Sequence, residues 1–143
     1  MNYEETEKCG CGNTGCLEQY ASATGIVKLA EKRLKQDHVD SVLREKPVSA
    51  KAVFDALKAG DAVAAEIVEE FGRYLGHGLA NLAVVTDPSV IVIGGGVSNA
   101  GDILLDYVKN ISRRKHFFAK NTEFILATLG NSAGICGAAK LIL

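Results

Sequence analysis

The sequence predicts an α/β fold, rich in helix and built on a parallel sheet that these residues leave incomplete. Three observations predict it. The C-terminal half runs strand, glycine turn, helix, strand, glycine turn, helix, which is the pattern of a right-handed βαβ unit with a terminal helix. The N-terminal half shows helical periodicity and no strand. Two parallel strands alone do not make a stable sheet, and the helices carry more apolar face than two strands cover. Further strands are therefore expected from another chain or from sequence outside these 143 residues, and the open strand edges also favour self-association.

Taken in order, residues 16–20 read as a short helical turn. Ser22 or Thr24 then caps a helix in which Ile26, Leu29, Ala30 and Leu34 recur at helical spacing. Residues 36–47 are polar, aperiodic and end in Pro47, so they predict a loop where insertion or mobility is expected. Ser49 predicts the N-cap of a helix to about residue 59, with Val53, Phe54 and Leu57 on one face. Gly60 ends that helix and Asp61 caps the next. This next helix, residues 62–85, carries an apolar stripe of Ile67, Phe71, Leu75, Leu79 and Leu82 beside a smooth stripe of Gly72, Gly76 and Ala80. A glycine inside a helix costs about 1 kcal/mol relative to alanine, so the smooth stripe predicts the close approach of another backbone. Asp87 and Pro88 end the helix. Residues 90–93 are then a β-branched strand of the buried parallel kind. A turn at Gly94, Gly95 and Gly96 leads into a helix over 97–115. A second strand at 123–128, a turn at 130–134 and a helix over 135–143 complete the chain.

Hydrophobic residues at 48% and charged ones at 23% describe an ordinary globular protein with enough material for a core. A net charge of −1 gives no electrostatic case for nucleic acid or an anionic membrane. Arg113, Arg114 and Lys115 are read as complementing a helix dipole. No apolar run approaches the ~20 residues of a membrane span, and the polar, acidic N-terminus has no secretory-signal character. Four cysteines without such a signal point to a reduced, cytoplasmic setting, and there to metal binding before disulfides. His38, His77 and His116 read as surface residues, and Cys136 as a core residue of the last helix.

Two stretches carry candidate chemistry. Cys9, Cys11 and Cys16 fall within eight residues, interleaved with Gly10, Gly12 and Gly15. Glycines let a backbone turn sharply enough for three thiolates to converge, and zinc suits clustered soft sulfur donors. A closed structural site needs four ligands, and the stretch offers three. Glu18 follows at a helix start, where a carboxylate is stabilised as a cap. The second stretch is the strand–turn–helix junction at Gly94, Gly95 and Gly96. It is either a tight turn or a place where a nucleotide meets backbone N–H groups. It is not a phosphate loop of the Lys-Ser/Thr type. Residues 130–134 repeat the arrangement on the neighbouring strand, so the two turns would line one crevice at the strand carboxyl ends. Asn131 is either a hydrogen-bonding group there or a turn former.

The spacing Cys9-x-Cys11-Gly-x-x-Gly-Cys16-x-Glu18, with Ser22 four residues on, resembles the zinc signature of the ROK family of sugar kinases and repressors. The resemblance continues through residues 21–26, 82–88, 91–98 and 129–134 and covers essentially the whole chain, closest to bacterial glucokinases. It implies the actin-like, ribonuclease-H-like ATPase fold. It also implies transfer of the ATP γ-phosphate to the 6-hydroxyl of glucose or a related hexose, with Mg²⁺ and a structural zinc. On this likeness Cys9, Cys11 and Cys16 are zinc ligands, Glu18 binds sugar hydroxyls, and Gly94, Gly95, Gly96 and Asn131 lie on the nucleotide side. The family's fourth ligand, a histidine before the first cysteine, has no counterpart here. Nor have its Asp-x-Gly-Gly-Thr phosphate loop and general-base aspartate. The resemblance therefore implies a C-terminal lobe without the N-terminal one, made of a zinc segment (1–20), a helical part (21–86) and a nucleotide-side part (87–143). Such a lobe is expected to be inactive alone. Two other readings stay open: the sugar-sensing part of a ROK-type regulator, and a zinc-stapled interaction module.

Overall fold

A computed structural model describes residues 4–115 and 122–142. Five α-helices and two strands follow one another as α1 (Ala23–Leu34), α2 (Ala50–Lys58), α3 (Ala62–Thr86), β1 (Val90–Ile93), α4 (Asp102–Lys115), β2 (Glu123–Leu126) and α5 (Ala133–Lys140). The strands pair in parallel, Val90 with Glu123 through Ile93 with Leu126.

Side-chain caps fix the helix starts. Ser22, Ser49 and Asp61 each accept a backbone N–H three residues on, from Gly25, Ala52 and Ala64, and so satisfy donors the first helical turn leaves unpaired. At its other end α3 stops in Asp87, whose φ of 39° turns the chain toward Pro88. The core forms where α1, α2 and α4 pack on α3. It closes around Phe71, Ile26, Ile67, Leu104 and Val53, all fully buried, with Phe54 set edge-on to Phe71. The small stripe Gly72, Gly76 and Ala80 is buried as well.

Several expectations are corrected. The helix expected over 97–115 is two pieces: a 3-10 turn over Gly96–Ala100, then α4, separated by Gly101 in a left-handed conformation. The second strand stops at Leu126 and the last helix begins at Ala133. Residues 36–47 form a fastened loop. It contains a 3-10 turn (Val42–Arg44), and the Arg44 guanidinium donates to the carbonyls of Leu34, Asp37 and Val39. Leu82 is exposed, since α3 outruns the helices packed on it. Cys136 is exposed rather than buried, because no residue of α5 is covered. His38 and His77 are exposed as read, whereas His116 lies outside the described residues, as do the side chains of Arg113, Arg114 and Lys115.

The sheet has one covered face. Ile91, Ile93, Phe124 and Leu126 face the core, while Val90, Val92 and Ile125 are exposed, with Val92 at 58%. Leu82, Val84 and Val85 at the end of α3, and Ile135, Leu141 and Ile142 in or just after α5, add to the uncovered apolar surface. The incomplete sheet expected from the sequence is thus what the structure shows among its described residues.

One close contact packs α1 on the turn before it. A Cβ built on Gly25 would lie 2.6 Å from the Tyr20 carbonyl carbon. That neighbour is backbone, which no rotamer change can move. Gly25→Ala is expected to lower stability by about 1–3 kcal/mol in chemical denaturation. Gly78→Ala should cost less, because its nearest neighbour is the flexible end of the Leu17 side chain. Equal effects would contradict this account.

Candidate functional site

The cysteine loop is built by its own backbone. Cys9 N–H donates to the Asn13 carbonyl and Gly12 N–H to that of Cys9. Gly12 and Gly15 take φ values of 87° and 69°, so the chain folds back twice between the first and third cysteine. As a result the Sγ atoms of Cys9, Cys11 and Cys16 all lie within 4.8 Å of one another, with Cys11 and Cys16 at 3.5 Å. Around one tetrahedral zinc, thiolates at about 2.3 Å from the metal stand about 3.8 Å apart. The three donors therefore fit three vertices of such a site. Among the described residues no fourth His, Cys, Asp or Glu joins the cluster.

The thiols differ in acidity. The Asn13 N–H, followed by Cys16 and Cys9, draws the Cys11 thiol below its ordinary value. Its hydrogen bond with Cys11, then burial and the Cys9 contact, push Cys16 up to about 11.

Glu18 sits in the 3-10 turn Leu17–Gln19 that joins this loop to α1. Its carboxylate is exposed yet held at both ends. Oε2 accepts from Cys9 Sγ at 3.1 Å, and Oε1 from Thr24 Oγ1 at 3.1 Å, with Ser22 Oγ at 3.4 Å. The Cys9 thiol first, then the Thr24 hydroxyl, keep its pKa below the ordinary carboxylate value. Ser22 caps α1, while Glu18 lies in the first turn of Leu17–Gln19 as the sequence suggested, with its carboxylate additionally held by Cys9 and Thr24.

Two residues missed in the sequence support this arrangement. Gln19, 4% exposed, accepts the Cys16 N–H at 3.0 Å and donates to the Glu7 carbonyl at 2.9 Å. The signal was a Gln three residues after the residue preceding the turn, the geometry of a capping box. Tyr20 stacks on Tyr74 at 4.3 Å and its hydroxyl bonds Glu5. Its signal was an aromatic residue just ahead of the α1 cap.

The glycine turn is the second candidate stretch. Gly94 and Gly95 follow β1 directly, and Gly96 opens the 3-10 turn. A Cβ on Gly96 would lie 3.3 Å from that of Ala23, the residue between Ser22 and Thr24. The turn thus lies against the start of α1. Across it, a cavity of about 310 Å³ opens between α2 and Gly96, lined also by Lys51, Phe54, Lys58 and Asn99. The second turn, Gly130–Ser132, contacts the first. Its backbone contains Asn131, whose side chain lies outside the described residues.

A helix-rich lobe on parallel strands with this junction is the actin-like ATPase fold, and a solved ROK glucokinase from Streptomyces griseus, in complex with glucose and AMPPNP, superposes on it with a TM-score of 0.81 at 36% identity over 93% of this chain and 46% of that one. The model of the ROK family matches residues 1–143. The chain belongs to the ROK family. A glucokinase of Halalkalibacterium halodurans is 44% identical over 94% of this chain and 42% of its own. The Escherichia coli DNA-binding transcriptional repressor Mlc is 32% identical over 93% of this chain and 33% of its own. The chain spans about half the length or less of these relatives.

Thiol acidity is open to measurement. In the metal-free chain near neutral pH, iodoacetamide should label Cys11 well ahead of Cys16, since only the thiolate reacts. Cys16 should become reactive as pH rises toward 11. Peptide mass spectrometry reads the order, and equal rates at neutral pH would contradict the geometry.

Proposed function

We propose that this chain is the sugar-gripping and adenosine-side part of an ATP-dependent hexose kinase of glucokinase type. The observation that carries the reading is the Ala23–Gly96 contact. It sets the start of α1, whose Thr24 hydroxyl holds the exposed Glu18 carboxylate, against a glycine turn at the end of a parallel strand. Phosphoryl transfer needs its two substrates held side by side with little covalent chemistry from the protein, and a contact between the two elements that carry the candidate groups supports the reading. In this reading Glu18 accepts hydrogen bonds from hexose hydroxyls. Gly94, Gly95 and Gly96 let the adenosine end of the nucleotide approach the backbone, with Asn131 on the neighbouring turn. ATP with Mg²⁺ supplies the phosphoryl group. The general base and phosphate loop are expected in sequence beyond these residues.

Cys9, Cys11 and Cys16 would hold a structural zinc, bracing the turn that presents Glu18. The four free cysteines suit a reducing compartment such as the cytoplasm. No helix among the described residues is long and apolar enough to cross a membrane. A sugar-responsive regulator would use the same grip, as the likeness to Mlc allows. The higher identity to a glucokinase favours the kinase.

Differential thermal denaturation tests the reading. Glucose should raise the midpoint of the zinc-loaded chain, by the mass action of a ligand that binds only the folded state. Glu18→Ala should abolish that rise, whereas an unchanged response in the variant would point to a site elsewhere. No response in either protein would favour a zinc-stapled interaction module. The chain alone should not phosphorylate glucose in a coupled assay with ATP and Mg²⁺, and turnover by purified protein would contradict the placement of the base outside it.

A further inference from the structure

We propose that Thr24 is a positioning residue that decides which oxygen of Glu18 meets a bound sugar. The inference rests on the reading of Glu18 as a sugar ligand. Ser22 Oγ accepts from Gly25 N–H at 2.9 Å and lies 2.8 Å from Thr24 Oγ1, which donates to Glu18 Oε1 at 3.1 Å. Proton counting allows either hydroxyl to serve Glu18, and the shorter approach, 3.1 Å from Thr24 against 3.4 Å from Ser22, selects Thr24. A backbone N–H only donates, an ionised carboxylate only accepts, and each hydroxyl has one proton. With the Thr24 proton on Glu18, the 2.8 Å contact is filled by the Ser22 proton on Thr24. The longer 3.4 Å approach of Ser22 to Glu18 is then a near contact without a proton of its own. Every donor from the start of α1 thus points toward Glu18 Oε1.

Each hydroxyl in such a chain is polarised by the one before it, which strengthens the last bond. The carboxylate is held from rotating, with Oε1 occupied on the helix side. Oε2 accepts from the Cys9 thiol in the metal-free chain, and a Cys9 thiolate on zinc would have no proton to give, so that Oε2 becomes the oxygen for a sugar hydroxyl. Thr24 is exposed and takes no part in the core, and Ser22 alone caps α1. The role of Thr24 can therefore be separated from folding. Thr24→Val keeps the shape and removes the donor, whereas Thr24→Ser keeps the donor and removes a methyl group.

Calorimetric titration of D-glucose into the zinc-loaded chain tests this. Thr24→Val should bind about fivefold to tenfold more weakly than the wild type, the loss of one hydrogen bond, and Thr24→Ser within about twofold of it. Zinc content and denaturation midpoint should be the same in all three, a result a merely structural role would not give. If Thr24→Val binds as tightly as wild type, or Thr24→Ser as weakly as Thr24→Val, the role of Thr24 is overturned and the sugar reading stands. If the wild type binds no glucose, the sugar reading falls and the inference with it.

Discussion

The carboxamide of Gln19 accepts the N–H of Cys16 and donates to the carbonyl of Glu7, and these two bonds tie both arms of the cysteine loop to the start of α1. A buried amide left without partners would cost about 1–3 kcal/mol, so the turn is held wherever Gln19 stays buried. Tyr20, the next residue, stacks on Tyr74 of α3 and carries that constraint into the core. Glu18, the residue before, is left facing outward between the thiols and the α1 hydroxyls. The direction of one exposed carboxylate is thus fixed by its buried neighbours on either side.

The same start of α1 meets the glycine turn after β1. Ala23 lies against Gly96, and a larger residue at either position would separate the carboxylate from the glycine turn. Here packing makes the demand, since small residues let the two backbones come together. Away from this junction the molecule is less finished. One face of the sheet, the end of α3 and all of α5 expose valines, leucines and isoleucines. Such a surface is large for a soluble monomer, and it belongs to a chain that spans about half the length of its relatives or less.

What was legible in the sequence was mostly local. Ser22, Ser49 and Asp61 cap helices through bonds to residues three positions on, which a one-dimensional reading reaches. The thiol cluster was legible for the same reason, its ligands and its turning glycines being neighbours. Gln19 was legible only in part: its bond to Cys16 is local, but its carbonyl partner lies twelve residues away. Arg44 was missed likewise: a polar, aperiodic stretch gave no sign that one guanidinium gathers three carbonyls and fastens the loop. Cys136 and Leu82 were read as buried from apolar pattern alone. Pattern says which face wants to be covered, and no residue described here covers it. Glu18 shows the limit most clearly. Its residue type and position suit the start of a helical turn, and only the structure shows that Cys9 and Thr24 hold its carboxylate.

The central claim is that the thiol cluster exists to hold Glu18 for a sugar, so metal and sugar should be linked. Linkage is reciprocal: if metal strengthens sugar binding by some factor, sugar strengthens metal binding by the same factor. The direct measurement is the affinity of the chain for zinc, by competition with a chromophoric chelator, in the absence and in the presence of saturating glucose. The account predicts tighter zinc binding with glucose present, by the factor that separates the glucose affinities of zinc-loaded and chelated chain. Zinc affinity indifferent to glucose would contradict it, and would leave the cysteine loop a staple with no part in the site.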